Sequence, residues 1–232
     1  MTLARPYVVV SAAVSLDGYL DDASARRLLL SNEADFDRVD EVRAGCDAIL
    51  VGAETVRRDN PRLLVRSAAR RAAREARGEP FTPLRVVLST AGRLDPAAAV
   101  FTAQAASVTV VYVPEAGSAE AEDRLGGVAA VAVAEGLPAV LADLVGRGVR
   151  RLMVEGGSSV QTEFLTMGLV DELHLVVAPF FVGDPAAPRF AGPGRYPHGP
   201  ERRMRLAETR PIGDVVLLRY LLAGERHGSS DD

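Results

Sequence analysis

Residues 7–14 form an almost wholly apolar, β-branched run that stops at Asp17-Gly18. A strand with no polar face has to be buried on both sides, which calls for a parallel or mixed sheet covered by helices. The same kind of run recurs at residues 48–51, 84–88, 108–113, 128–133, 151–155 and 172–177. Helical spacing separates several of them. Ser31-Asn32-Glu33-Ala34 offers a capping candidate and an early acid ahead of Phe36, Val39 and Val42, an apolar face that ends near Gly45. Residues 54–58 read as a helical turn halted by Asn60-Pro61, residues 138–145 as a helix opened by proline, and residues 158–167 as a helix between two strands. Strand candidates at 204–209 and 215–222 stand next to one another and predict an antiparallel edge. The chain therefore reads as α/β, with a mostly parallel central sheet and an antiparallel C-terminal edge.

Two stretches are expected to lie outside that pattern. Residues 66–80 mix Ala, Arg and Glu without large apolar side chains, and predict a surface excursion with little share in the core. Its arginines (Arg66, Arg70, Arg71, Arg74, Arg77) could form an anion patch, but their spacing to Glu75 and Glu79 favours a plain charged face. Residues 181–200, rich in Gly and Pro, read as a long loop, and the connection between 113 and 128 as Gly- and acid-rich. Of 232 residues, 48% are hydrophobic, ample for one core, so residues 1–223 are expected to form one domain and residues 224–232 a polar tail.

Twenty-seven basic against 31 acidic residues give a net charge of -4, so no global positive field exists to gather nucleic acid or anionic membrane. A single cysteine, Cys46, and three scattered histidines (His174, His198, His227) exclude a disulfide framework and a zinc cluster, and no metal is expected. No apolar run approaches the roughly 20 residues of a membrane span, and the N-terminus lacks the apolar core of a signal peptide. The expectation is a cytoplasmic protein with a small-molecule partner.

Three segments could carry chemistry. Glu155-Gly156-Gly157-Ser158-Ser159 follows a buried strand and opens a helix, where glycines allow close approach and free N–H groups favour an anion such as phosphate; it reads equally as a Gly turn with a serine cap. Glu155 stands at a strand's C-terminal end, where open α/β sheets bind ligands. Ser15-Leu16-Asp17-Gly18 by itself is an ordinary strand terminator. The segment from Thr55 to Arg66 packs polar residues behind a strand end, with arginines suited to a phosphate, although Thr55 and Asp59 taken singly could be a cap and a turn-former.

Taken together and in this order, Ser15-Leu16-Asp17-Gly18, Leu30-Ser31 leading to Arg43 and Ala48-Ile49-Leu50, residues 55–66, and Glu155-Gly156-Gly157 with residues 168–173 resemble the reductase domain of the bifunctional riboflavin-biosynthesis deaminase-reductases. The resemblance implies a three-layer αβα dihydrofolate reductase-like fold, a homodimer, and NADPH as cofactor. It implies hydride transfer to C1′ of a 5-amino-6-ribosylamino-pyrimidine 5′-phosphate, in its uracil or 2,5-diamino-pyrimidinone form, to give a ribityl chain. Carried over by position, Val14, Thr55 and Asp59 would line the nicotinamide and ribose, and Ser89 the adenosine end. Gly156, Gly157, Ser158, Ser159, Val160, Gln161, Thr162 and Glu163 would hold the pyrophosphate. Arg43, Leu63, Arg66 and Glu155 would meet the substrate, the arginines clamping its phosphate, with Asp59 as the catalytic candidate. Thr90 and Arg93 lie beside Ser89 where a 2′-phosphate could bind.

The chain departs from that pattern at Ser11, where the family commonly has lysine, and in residues 21–29, which are charged where the family has a Gly- and Ser-containing loop. Arg26 or Arg27 could replace a phosphate-binding serine there, or form a solvated pair. With no His/Cys zinc set for a deaminase, a stand-alone reductase is expected. A related reductase acting on another pterin or pyrimidine, and a non-catalytic nucleotide-binding protein, are the alternative readings.

Overall fold

A computed structural model of the chain describes residues 5–24, 28–105 and 108–222. Arg26, Arg27 and the 224–232 tail lie outside the described residues. The elements run β1 (Tyr7–Ser15), α1 (Glu33–Ala44), β2 (Ala48–Gly52), α2 (Ala53–Asp59), α3 (Ala68–Ala76), β3 (Leu84–Leu88), α4 (Ala99–Thr102), β4 (Thr109–Val113), α5 (Glu115–Leu125), β5 (Ala129–Val133), α6 (Gly136–Gly146), β6 (Arg151–Val154), α7 (Ser158–Thr166), β7 (Glu172–Ala178), β8 (Arg205–Ile212) and β9 (Val215–Leu221). All nine strands belong to one sheet, ordered β5-β4-β3-β2-β6-β1-β7-β9-β8.

The run that begins the chain takes the centre of the sheet. β1 pairs in parallel with β6 on one side and β7 on the other, and Val8, Val9 and Val10 are wholly buried. From β1 the chain crosses to β2 and builds outward through β3, β4 and β5, then returns to insert β6 between β2 and β1. Only β9 runs against the rest, joining β7 and β8 in antiparallel pairs. Because the winding direction reverses around β1 and β6, a crevice opens beyond the carboxyl ends of β1, β2 and β6, the place where such sheets bind ligands.

Two cores flank the sheet. Val8, Val10, Leu50 and Leu152 pack with Leu137, Leu141 and Leu144 of α6 and Phe164 of α7. On the other face Ile49, Val51, Val87 and Val111 meet Val56 of α2, Val100 and Phe101 of α4, and Leu125 of α5. Residues of β2, β3 and β4 alternate between these clusters, as strands buried on both faces require, and a third cluster forms around Val176, Ile212 and Leu217 at the antiparallel edge. The result is the three-layer αβα arrangement.

Helix α1 runs where its cap signal places it, with Asn32 Oδ1 accepting from the Asp35 N–H at 3.0 Å. Its burial differs from the apolar spacing: Asp35, Arg38 and Asp40 are buried, whereas Phe36 and Val39 are half-buried on a cavity wall. Charge pairing, and not the apolar spacing, decided which side chains of α1 are buried.

The 66–80 stretch contains α3 and is more than a surface excursion. Arg74 is 2% exposed and donates from Nη1 to the carbonyls of Ala44 and Cys46, both at 2.8 Å, and from Nε to the Pro80 carbonyl at 2.8 Å. It thus closes off the C-terminal end of α1. Arg74→Ala is expected to lower stability by about 2–4 kcal/mol, because the buried carbonyls of Ala44 and Cys46 lose this donor. Thermal unfolding checks this; a shift no larger than that of Arg71→Ala would show the carbonyls satisfied otherwise. The Gly- and acid-rich connection after β4 is helix α5, whose inner face needs only Gly117, Ala121 and Leu125.

Candidate active site

A cavity of about 400 Å³ lies at the crevice and is walled by β1, α1, α2 and the turn into α7. Its wall begins with the end of β6. Backbone bonds from Glu155 N to the Leu50 carbonyl and from Gly52 N to the Gly156 carbonyl, both 3.0 Å, zip the turn against the end of β2. A Cβ on Gly52 would stand 2.9 Å from Val160 Cγ2, so this approach needs glycine. Gly156 has φ +141, outside the range of ordinary side chains, and a Cβ on Gly157 would come within 3.1 Å of Thr55 Oγ1. That hydroxyl accepts from the Gly157 N–H at 3.0 Å, so α2 and the Gly-Gly turn are locked together.

The turn delivers the first N–H groups of α7 to the cavity, where no intrahelical carbonyl can reach them. Gly157, the N-cap residue, has no side chain, and Ser158 turns its hydroxyl to the Arg189 carbonyl at 2.5 Å, so neither serves as a side-chain cap. The serine-capped helix start, one of the two readings of this turn, is therefore not formed.

Arg43 and Glu155 meet across the cavity from α1 and the end of β6. Arg43 Nε and Nη2 donate to Glu155 Oε1 and Oε2 at 2.6 and 2.5 Å, and Nη1 donates to the Leu64 carbonyl at 3.1 Å. Burial opposes the arginine's charge, yet the carboxylate outweighs it and holds the guanidinium pKa above its ordinary value. A second pair, Arg58 to Asp21 at 3.0 Å, closes the rim, and a third, Arg38 to Asp35 at 2.6 Å, forms the floor.

Of the residues singled out in the sequence, Thr55, Asp59, Gly156, Gly157, Ser158, Ser159, Gln161, Arg43 and Glu155 are brought to this one cavity. The others are not among its walls. Val14 is buried in β1, Val160 packs against the core, Thr162 Oγ1 accepts from the Gly192 N–H at 2.8 Å, and Glu163 is exposed. Ser89 closes the turn after β3, its hydroxyl accepting from Gly92 N at 3.0 Å, and Arg93 is an exposed partner of Glu120. Leu63 is 2% exposed within the core with φ 51. Arg66 is exposed outside the cavity, its Nη2 on the Phe36 carbonyl at 2.7 Å, so the two arginines do not converge as a clamp. Asp17 staples the 182–183 loop: burial would raise its carboxyl, but Ser15 and the Val182 and Gly183 N–H groups hold it at about 2.

Arg58, one of the arginines of the 55–66 segment, also lines the cavity, as do Asp35, Arg38, Ser31, Asp21 and Ser11, none of which was given a site role from the sequence. The one local signal was a charged i, i+3 pair, Asp35 and Arg38, inside an otherwise apolar helical face. Among the described residues no cluster of His, Cys, Asp or Glu is arranged to hold a metal ion, and no helix is long and apolar enough to cross a membrane.

The chain matches the family model of the RibD C-terminal domain over residues 6–218. It belongs to that family. A 2,5-diamino-6-ribosylamino-4(3H)-pyrimidinone 5′-phosphate reductase of Archaeoglobus fulgidus is 40% identical over 188 residues, which span 79% of this chain and 85% of that protein. The protein of the same name from Methanothermobacter thermautotrophicus is 36% identical over 225 residues, 95% of this chain and 100% of that one. Among solved structures, a pyrimidine reductase-like protein of Corynebacterium diphtheriae superposes with a TM-score of 0.77 at 23% identity, covering 95% of this chain and 93% of that one. Dihydrofolate reductase of Enterococcus faecalis, at a TM-score of 0.51 and 12% identity over 93% of this chain and 95% of that one, shares the fold. This RibD-family chain is thus an α/β protein of the dihydrofolate reductase-like class.

Proposed function

We propose that this chain is an NADPH-dependent reductase that converts 2,5-diamino-6-ribosylamino-4(3H)-pyrimidinone 5′-phosphate to its ribitylamino product. The observation that carries the reading is the meeting in one cavity of the Gly156-Gly157 anion seat, Thr55, Asp59 and the Arg43–Glu155 pair, in a chain whose relatives bear that enzyme's name.

The cavity's residues fit a dinucleotide. The α7 N-terminus and the side-chain-free Gly156-Gly157 turn suit a pyrophosphate, and Thr55 beside it suits the adjoining ribose. When bound, NADPH supplies the hydride. The chain's own part is to hold C1′ of the substrate against it and to exclude water. Asp59, half-buried at the end of α2, is assigned to the proton that the sugar ring oxygen takes up as its bond to C1′ breaks. Glu155, held by Arg43, presents a carboxylate to the positive charge that develops near C1′. Arg93 could exchange its exposed contact with Glu120 for a 2′-phosphate. The reading includes one reductase domain over residues 1–223 and a cytoplasmic homodimer, supported by the exposed apolar side chains of Phe181, Leu206 and Val216.

NADPH oxidation by the purified chain with the pyrimidinone phosphate tests the function: turnover is expected, and oxidation with dihydrofolate only would sink it. Asp59→Ala is expected to lower kcat by about a hundredfold or more while the Kd for NADPH stays within about twofold. Equal losses in kcat and in cofactor affinity would move Asp59 from proton transfer to cofactor binding.

A further inference from the structure

The floor of the cavity holds an ion pair that binding of phosphate or nicotinamide leaves without a role. Asp35 and Arg38 lie one turn apart on α1, their side chains 3% and 8% exposed, and both face the cavity. Burying such a pair is a poor way to gain stability, since desolvation offsets most of the attraction.

The pair is held from behind. Arg38 Nη1 lies 3.2 Å from His174 Nδ1, and arginine cannot accept, so Nδ1 is the acceptor and the ring proton sits on Nε2. That Nε2–H donates to Glu172 Oε1 at 2.8 Å. His174 is thereby neutral and fixed in one tautomer. Asp35 accepts on each oxygen, from Arg38 Nε at 2.6 Å and from Ser31 Oγ at 2.5 Å, and each oxygen keeps a further lone pair. Among the described residues Arg38 Nη2 meets no acceptor. A rigid donor and a rigid anionic acceptor therefore stand side by side on the cavity floor.

That arrangement complements one edge of a 2-amino-4-pyrimidinone, where a carbonyl oxygen adjoins a ring N–H and an exocyclic amine. We propose that Arg38 Nη2 donates to the C4 carbonyl, that Asp35 accepts from N3–H and the 2-amino group, and that this pair makes the chain select the 2-amino substrate over its 2-oxo counterpart. The inference rests on the reductase function proposed above. With oxygen at C2, the Asp35 carboxylate would face a second acceptor, leaving two buried lone pairs opposed, a mismatch that a hydrogen-bonding site rejects strongly. Asp35 and Arg38 are then specificity-determining residues, and Ser31 and His174 position them.

The test is the ratio of kcat/KM for the 2,5-diamino-pyrimidinone ribosylamine phosphate to that for the 5-amino-uracil ribosylamine phosphate, with NADPH saturating. Asp35→Asn can turn an amide N–H toward a C2 oxygen, and is expected to reduce the wild-type preference about tenfold to a hundredfold while the Kd for NADPH moves less than about twofold. His174→Phe removes the acceptor behind Arg38 and should lower the ratio in the same direction. His174→Gln, whose amide can accept from Arg38 and donate to Glu172, should restore it, a rescue that a merely structural role would not give. A wild type that turns over both compounds equally, or variants that keep its preference, overturns the inference and leaves the reductase function standing. A wild type that turns over neither compound overturns both. Should Asp35→Asn fail to fold, Ser31→Ala removes one donor to Asp35 and must still lower the ratio; an unchanged ratio there overturns the inference.

Discussion

Arg43→Met is expected to reduce kcat/KM by about a hundredfold or more and to destabilise the fold by about 3 kcal/mol. Both losses have one origin. Arg43 carries Glu155 on a two-bond fork and also donates to the Leu64 carbonyl, within a site where the two side chains are 17% and 12% exposed. Without the guanidinium, the Glu155 carboxylate stands in poor solvent with no partner, and it either takes up a proton or rotates out of place. Arg43→Lys separates charge from geometry. A lysine restores one positive charge but cannot reproduce the planar fork, so it should recover much of the stability and little of the activity. Denaturant unfolding paired with steady-state kinetics gives both numbers. Full activity in Arg43→Lys would show that charge alone suffices, and full activity in Arg43→Met would remove the pair from the site.

Glu172→Gln is expected to lower stability by about 3 kcal/mol, near 10 °C in melting temperature for a chain of this size. Glu172 is 3% exposed and accepts from four side chains: His174 Nε2 at 2.8 Å and Arg219 Nε on one oxygen, the Tyr7 hydroxyl at 3.0 Å and Arg151 Nη2 at 3.1 Å on the other. An amide nitrogen in place of either oxygen turns an acceptor into a donor facing donors. Burial alone would raise the carboxyl's pKa, but the hydrogen bonds from His174 and Arg219 and the charge of Arg219 outweigh it and hold the group well below the usual carboxylate range. Burial and the same carboxylate push Tyr7 up to about 12, keeping its hydroxyl a donor at neutral pH. Because Glu172 has a folded pKa below its unfolded value of 4.5, its contribution is fully present above that value and fades as the pH falls through the acid range. The gap in melting temperature between wild type and Glu172→Gln should therefore be constant from neutral pH to about pH 5 and shrink below pH 4. A gap independent of pH throughout would mean that the carboxylate's charge is not what stabilises the hub.

Strand positions were legible in the chain because burial on both faces leaves a local mark, an unbroken β-branched run, and β1, β2, β3 and β7 fall where those runs lie. The start of α1 within residues 31–34 and the turn at Gly156-Gly157 were legible for the same reason, since a helix start is marked over three or four residues. Helix α5 escaped notice because a helix on the rim of a sheet can bury glycine and alanine with one leucine, leaving no apolar stripe to read. The site was half legible. Thr55, Asp59, Arg43 and Glu155 stand in recognisable order, yet their partners do not: Arg43 and Glu155 are 112 residues apart, Arg38 and His174 are 136 apart. Charge pairing has no period along the chain. It depends on which strand ends the sheet order places side by side, and here the insertion of β6 between β2 and β1 put Glu155 opposite Arg43. The same folding left Arg66 outside, although its sequence neighbours pointed inward. Local composition thus determined the elements and the Gly156-Gly157 turn, while the sheet's crossover order alone decided which charges neutralise one another and which line the cavity.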